Sequence, residues 1–268
     1  MTSEEPALLT LVDEARNIFL NNKATSVLPK SIPVLFFGDL SNYWNPYPRI
    51  ITVGRNPSFQ EFPLNQWNCR FERSEVILRK LTGNSENWDD EARGLYLTSL
   101  KKYFATKRHK WFQLGFGGFL EGMGKSYLPL SPSNVVHTDF CSPLATRPSW
   151  SSLGDGEKKV LMRDGVHLWY NLETYLDPDI IVISIGNEYS EWLMGRFTVV
   201  QMDSYPYEAT IGRKKVTVEA KLFQCERGNK TKWFVEIPLL QNPFGVGVTN
   251  EAKKTIAKSI RSRISSAR

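Results

Sequence analysis

Three apolar runs of this chain stop at polar side chains that could do chemistry. Ile51-Thr52-Val53 is β-branched, Gly54 breaks it, and Arg55-Asn56-Pro57-Ser58 follows at once. Val135-Val136-His137-Thr138-Asp139-Phe140 carries a carboxylate near its end, and Leu239-Leu240-Gln241-Asn242-Pro243-Phe244-Gly245 closes a third run in a second Asn-Pro turn. A turn alone accounts for either Asn-Pro, because Gly permits a sharp bend and Pro fixes φ. Two such turns far apart in sequence, each closing an apolar strand, form a constellation with Asp139. In an open parallel sheet, ligands bind just beyond the carboxyl ends of the strands. A carboxamide there can position a water or a substrate edge but is no strong base. Glu61 is the carboxylate nearest the first turn and the candidate base, with a surface Glu in a loop as its other reading.

Those side chains need strands and helices to hold them. Arg49–Val53, Val135–Phe140, Asp179–Ile185 and Val235–Leu240 read as buried strands. Helix-forming stretches separate them, among them Ser74–Leu81 and Lys158–Leu176. Strands alternating with helices predict a three-layer α/β/α fold around a mostly parallel four-stranded sheet. Leu8, Leu11, Val12, Ala15, Ile18 and Phe19 recur at helical spacing and predict a first helix over about residues 5–22. Ala252, Ile256, Ile260 and Ile264 predict a last one, whose polar face carries Lys253, Lys254, Lys258, Arg261 and Arg263. Those charges read either as a solvated face or as a phosphate contact. Alternating residues over about 197–224 predict a β-hairpin insertion or an extension of the sheet edge. With no repeat or linker, residues 1–268 are expected to form a single domain.

Composition narrows the class. Of 268 residues, 41% are hydrophobic and eight are Trp, enough for a sizeable core. A net charge of +6 is compatible with a polyanion partner. Cys69, Cys141 and Cys225 lie far apart without a CxxC, and His109, His137 and His167 are dispersed. A reduced, metal-free, cofactor-free cytoplasmic protein is expected. No stretch reads as a signal peptide or reaches transmembrane length. A P-loop would need Gly five residues before Gly124-Lys125-Ser126, where Phe119 stands, so residues 115–126 are expected to form a flexible loop.

Between about residues 50 and 250 the chain resembles the uracil-DNA glycosylase superfamily. Gly54-Arg55-Asn56-Pro57-Ser58 is similar to its first motif, with Asn as in the mismatch-specific thymine/uracil branch. Asn242-Pro243-Phe244-Gly245-Val246 is similar to its second motif, and Asp177-Pro178-Asp179-Ile180-Ile181-Val182 through Gly186-Asn187 to a late strand. Asp139 falls where many members carry the Asn that reads a flipped base. Phe244 stands in place of the usual Ser, the histidine of the classical enzymes is missing beside Pro243, and three cysteines cannot supply an iron–sulfur branch.

The resemblance implies a monofunctional DNA glycosylase that extrudes a nucleotide and hydrolyses its N-glycosidic bond, leaving an abasic site. It assigns catalysis to Asn56, which would hold the attacking water, and to Asn242, which would donate to the departing base or fix the sugar; Glu61, from its nearness to the first motif, is added as a further base. Gly54, Pro57, Ser58, Phe71, Asp139 and Phe140 would bind the base, with Phe71 (or Trp67) stacking on it. Phe244, Gly245 and Val246 would wedge into the DNA, and Arg147, Lys101, Lys102, Lys107 and Arg108 would meet phosphates. An ionised Asp139 offers only acceptors, which suits the amino group of cytosine and repels O4 of uracil. The expected substrate is therefore a modified cytosine, such as glucosylated hydroxymethylcytosine in phage DNA. That implies antiviral defence by a monomer in a prokaryotic cytoplasm, acting on double- or single-stranded DNA and on no membrane. Three readings stay open beside it: a uracil or mismatch repair glycosylase, a catalytically silent nucleic-acid-binding protein of the same fold, and an enzyme of free nucleosides. For Asp139 itself, a helix N-cap or an ion pair with Arg147 is the alternative.

Overall fold

The structure, a computed structural model, describes residues 6–44, 47–63, 69–106, 110–128 and 135–267. Trp67, Lys107 and Arg108 lie outside the described residues. The chain starts with helix α1 (Pro6–Asn21), strand β1 (Ile50–Gly54) and helices α2 (Ser74–Thr82) and α3 (Asp90–Lys101). Two short helical pieces, α4 (Lys110–Phe112) and α5 (Gly118–Gly122), flank a π-helical turn at Gln113–Gly117. Strand β2 (Val136–Asp139), helix α6 (Asp155–Leu176), strand β3 (Ile180–Ile183) and helix α7 (Asn187–Met194) follow. Then come β4 (Thr198–Ile211), β5 (Lys214–Arg227), β6 (Lys230–Glu236), the short β7 (Leu239–Leu240) and β8 (Asn242–Pro243), and helix α8 (Asn250–Ser266).

The fold is α/β, and its sheet is larger and less parallel than expected. Six strands run in the order β2-β1-β3-β6-β5-β4, not four. β1, β3 and β6 are parallel neighbours, whereas β4, β5 and β6 form an antiparallel meander. The anticipated hairpin is thus part of the sheet and extends its edge. The expected strand 235–240 is split, because β6 ends at Glu236 and Pro238, lacking an N–H, precedes the separate β7–β8 pair. β1 and β3 are buried at every position, which accounts for their unbroken apolar runs. Among the described residues no helix is long and apolar enough to cross a membrane.

The chain divides into two compact units, each discontinuous in sequence: Met1–Asp39, Gly54–Arg108 and His137–Asp177 in the first, and Leu40–Val53, His109–Val136 and Pro178–Arg268 in the second. In the first unit, α1 buries Leu8, Leu11, Val12 and Ala15 and packs on α6. Asp13 accepts from the Trp88 indole at 2.8 Å and from Arg93, tying α1 to α3. Helix α6 packs on β2 and the residues that follow it. Trp169 donates to the Thr138 hydroxyl at 2.9 Å, and the Phe140 ring stands edge-on to Trp169 at 5.3 Å. At Gly165 the helix lies so near the chain after β2 that a Cβ would sit 2.4 Å from the Cys141 carbonyl oxygen.

In the second unit, the glycine-rich stretch expected as a flexible loop is mostly helical. Its glycines serve close packing: a Cβ at Gly118 would lie 2.8 Å from the Asn250 carbonyl oxygen, and one at Gly122 2.6 Å from that of Lys254. Helix α8 is therefore pressed onto α5, and Lys253, read as part of its polar face, is buried there with its ammonium on the Leu114 carbonyl. Lys254 and Arg263 pair with Glu121 and Asp203 at 2.8 and 3.0 Å.

The packing at α6 makes a two-sided prediction. Gly165→Ala meets backbone that cannot swing aside and should destabilise the protein by roughly 1–3 kcal/mol. Gly156→Ala, with nothing within 4 Å of its new Cβ, should be neutral or stabilising by up to about 1 kcal/mol. Urea denaturation of both variants checks the opposite signs.

Candidate functional site

The site begins where β1 ends, and all of the geometry that follows lies within the first unit. The Gly54 carbonyl accepts from the Phe140 amide at 2.9 Å, and the Arg55 carbonyl accepts from the amides of Cys141 and Ser142 at 2.8 and 3.2 Å. These bonds fix the first Asn-Pro turn against the chain leaving β2. The half-buried Asn56 then donates through Nδ2 to the Leu144 carbonyl and the Thr146 hydroxyl, at 3.0 and 3.1 Å. Both donations engage the amide nitrogen, which fixes the side chain against that loop. Pro57 is buried, while Ser58 is exposed and caps the next turn by accepting from the Gln60 amide at 3.1 Å.

That turn, Phe59–Glu61, carries Glu61 inward. Glu61 is 2% exposed, so the alternative of a surface Glu is overturned. Tyr103 donates to Oε2 at 2.6 Å, and the Arg70 guanidinium stands 3.4 Å from the same oxygen. Burial pushes the carboxyl up to about 7, against the opposing pull of Tyr103 and Arg70, and the nearby Asp139 adds like-charge repulsion.

Asp139 is also withdrawn from water, and burial raises its pKa. Its neighbour is His137, with Nε2 3.6 Å from Oδ1; that is ion-pair distance and long for a hydrogen bond. Oδ2 is buried without a hydrogen-bond partner among the described residues. Asp139 therefore neither caps a helix nor pairs with Arg147. Gly54 is what makes room for the pair: a Cβ there would sit 2.5 Å from Oδ1 and 3.0 Å from His137 Nε2.

An aromatic group packs beside the carboxyls. Phe71 is 1% exposed. Phe62 stacks on it at 5.2 Å, and Phe37 and Tyr103 lie at 5.7 and 5.1 Å. Phe140, expected among the base-binding residues, turns its ring to α6 instead and offers the site only backbone, because alternate strand residues face opposite ways. Arg147 is exposed, with its guanidinium 5.1 Å from the Phe59 ring. Lys101 closes α3, and Lys102 beyond it pairs with Glu72 at 3.6 Å.

The second unit holds the other Asn-Pro turn, described by itself. Leu240 pairs with Asn242 across Gln241, and the Gly245 amide donates to the Asn242 carbonyl at 2.9 Å. Gln241 and Phe244 take φ of 68° and 69°, unusual for side-chain-bearing residues and a form of strain that clusters at functional sites. Asn242 is half-buried. The expected apolar tip is exposed only at Val246: Phe244 is fully buried against Phe119 and Tyr207 at 5.6 and 5.7 Å. Its ring belongs to the core, which removes it as a wedge.

His137, Tyr103 and Arg70 escaped sequence reasoning. His137 had a signal, since residues two apart on a strand share a face and Asp139 is two further on. Tyr103 and Arg70 had none. Among the described residues, no group of three or more His, Cys, Asp or Glu could hold a metal ion. Comparisons of the chain with protein-family models and with curated proteins find no match in either.

The Glu61 carboxyl sets a pH dependence of stability. Its folded value, about 7, lies above the ordinary 4.5, so the folded state binds more protons between those values. Its contribution is full below about pH 4.5 and is lost as pH rises to about 7, with Asp139 acting in the same direction. Glu61→Gln keeps an acceptor for Tyr103 and removes the titration. The unfolding free energy of the wild type, measured by denaturant at steps from pH 4.5 to 8, should fall by roughly 1–3 kcal/mol more than that of the variant.

Proposed function

We propose that this chain is a DNA glycosylase of the uracil-DNA glycosylase type that hydrolyses the N-glycosidic bond of a modified cytosine, such as glucosylated hydroxymethylcytosine. The observation that carries the reading is Asp139: a buried carboxyl, made room for by Gly54, whose Oδ2 has no hydrogen-bond partner among the described residues. A buried oxygen left without a bond costs stability unless a ligand completes it. An exocyclic amino group of a cytosine-type base is the donor that an acceptor oxygen would take.

The rest of the first-unit site fits hydrolysis. As the bond from C1′ to the base breaks, its electron pair leaves with the base and positive charge builds on the sugar. A water held by Asn56 Oδ1 bonds through its oxygen to C1′. Its proton passes to Glu61, whose value near 7 suits a group that must accept and release a proton around neutrality. The departing base is then protonated from solvent. Arg147 and the end of α3 supply positive charge for a phosphate backbone. The three-layer α/β/α fold of that superfamily belongs to this proposal, with β4 and β5 as an extension. So does a role against phage DNA, in which such cytosines occur.

The test uses purified protein and oligonucleotides, single- and double-stranded, carrying uracil, a thymine mismatch, hydroxymethylcytosine or its glucosylated form. Alkali then reveals abasic sites. Scission at the modified cytosine is the expected outcome. Salt-sensitive binding without scission on any base would point to a silent binder, and turnover of free nucleosides alone to a nucleoside enzyme. Asn56→Ala should lower kcat by at least about a hundredfold while DNA affinity changes little, because a positioned water contributes at the transition state. Asp139→Asn should move the preference toward uracil; an unchanged base choice removes the case for cytosine.

A further inference from the structure

Asp139 can discriminate between bases only if one of its oxygens is held still, and the side chain that stands against it had no assigned role. We propose that His137 is a specificity-determining positioning residue: its imidazole, at ion-pair distance from Oδ1 of Asp139, biases the carboxyl toward the orientation in which Oδ2 meets a bound base as an acceptor for an exocyclic amino group. The inference rests on the glycosylase reading for the nature of the ligand, and on the structure for the geometry.

Three observations carry it. Nε2 of His137 lies 3.6 Å from Oδ1 and both side chains are 3% exposed, whereas Oδ2 is buried with no hydrogen-bond partner among the described residues. The two oxygens of one carboxyl are thus unequal: Oδ1 faces the imidazole at ion-pair distance, and Oδ2 has no hydrogen-bond partner among the described residues. His137 is itself fixed: it exchanges backbone hydrogen bonds with Phe37 at 2.8 and 3.0 Å, and the Phe37 ring stands edge-on to the imidazole at 5.4 Å. Finally, the site tolerates no side chain at Gly54, where a Cβ would strike Oδ1 and Nε2 together. Space has been cleared for the pair as a unit.

Without the imidazole, the carboxyl can turn about its bond to Cβ and bring either oxygen to the ligand. A buried carboxyl also takes up a proton readily, and its O–H would then donate to O4 of uracil. Loss of His137 should therefore relax the choice of base more than it weakens binding overall. Holding an oxygen needs a donor at the reach of Nε2 and no aromatic ring, which Gln supplies while Leu and Asn do not.

The experiment measures binding to duplexes bearing a 2′-fluorinated, hydrolysis-resistant nucleotide with a cytosine, hydroxymethylcytosine or uracil base, alongside excision of the ordinary substrates. The wild type is expected to prefer the cytosine-type duplexes. His137→Leu and His137→Asn should each cut that preference about tenfold, mainly by tighter uracil binding, and His137→Gln should keep it within about threefold. Thermal melting establishes that each variant is folded, and the Asn and Gln variants decide the matter if Leu does not fold. An unchanged ratio in folded His137→Asn overturns the proposal, as does equal loss in the Gln and Asn variants, which would assign the ring to packing. A wild type with no preference overturns it too. A wild type that prefers the cytosine-type duplexes but excises nothing sinks the glycosylase reading and leaves the His137 assignment standing.

Discussion

The withdrawal of two carboxyl groups from water, Glu61 and Asp139, is the constraint around which the first unit is organised. An isolated charge in an apolar interior costs several kcal/mol, so such groups must be paired, protonated or completed by a ligand. The two carboxyls are treated differently. Glu61 receives a phenol and a guanidinium on one oxygen. Asp139 receives one imidazole at long range and keeps an oxygen bare. The first arrangement satisfies the bonded oxygen of Glu61, whereas the second leaves a buried acceptor of Asp139 without a hydrogen-bond partner among the described residues.

The surrounding chain is arranged to keep both groups where they are. Within the second unit, the Arg49 carbonyl at the entry to β1 accepts from the amides of Asp179 and Ile180. In the first unit, bonds from Phe140, Cys141 and Ser142 to Gly54 and Arg55 fix its exit. The side chain of Asn56 spans to Leu144 and Thr146, so the turn after β1 and the loop after β2 form one piece. The Arg70 amide on the Glu61 carbonyl closes the segment between them, with Phe62 and Phe71 stacked beside it. Dry aromatic packing is costly for the carboxylates but raises the strength of every electrostatic contact they make.

Much of the scaffold was legible in the sequence. Continuous β-branched runs marked β1, β2 and β3, and apolar spacing marked α1 and α8, because burial imposes those periods directly. The Asn56 turn and Asp139 were legible as strand-end residues. What failed depended on contacts that no period encodes. The glycines at 118 and 122 read as a loop because their use is to let α8 approach a helix, a property of the partner and not of the segment. The burial of Glu61 depends on Tyr103 and Arg70, brought in from 42 and nine positions away. Phe244 read as a tip because two glycines and a proline surround it, yet a positive φ turns its ring into the core. The extra strands were visible as alternation, but whether a hairpin stands apart or joins a sheet is decided by β6, which pairs with β3 on one edge and β5 on the other.

The nearness of the two carboxyls gives the glycosylase reading an internal logic. A negative charge on Asp139 raises the affinity of Glu61 for a proton, since like charges in a poorly solvated site resist being ionised together. A base that donates an amino hydrogen to Asp139 would favour its ionised form, and so raise the proton affinity of Glu61. A base that presents a carbonyl oxygen there does the reverse: it favours the protonated Asp139 and leaves Glu61 the weaker base. Under the proposed glycosylase reading, recognition and proton transfer would be coupled through a single electrostatic interaction. Selectivity would be expressed in the chemical step as well as in binding, which is where an enzyme acting on genomic polymers gains most from it.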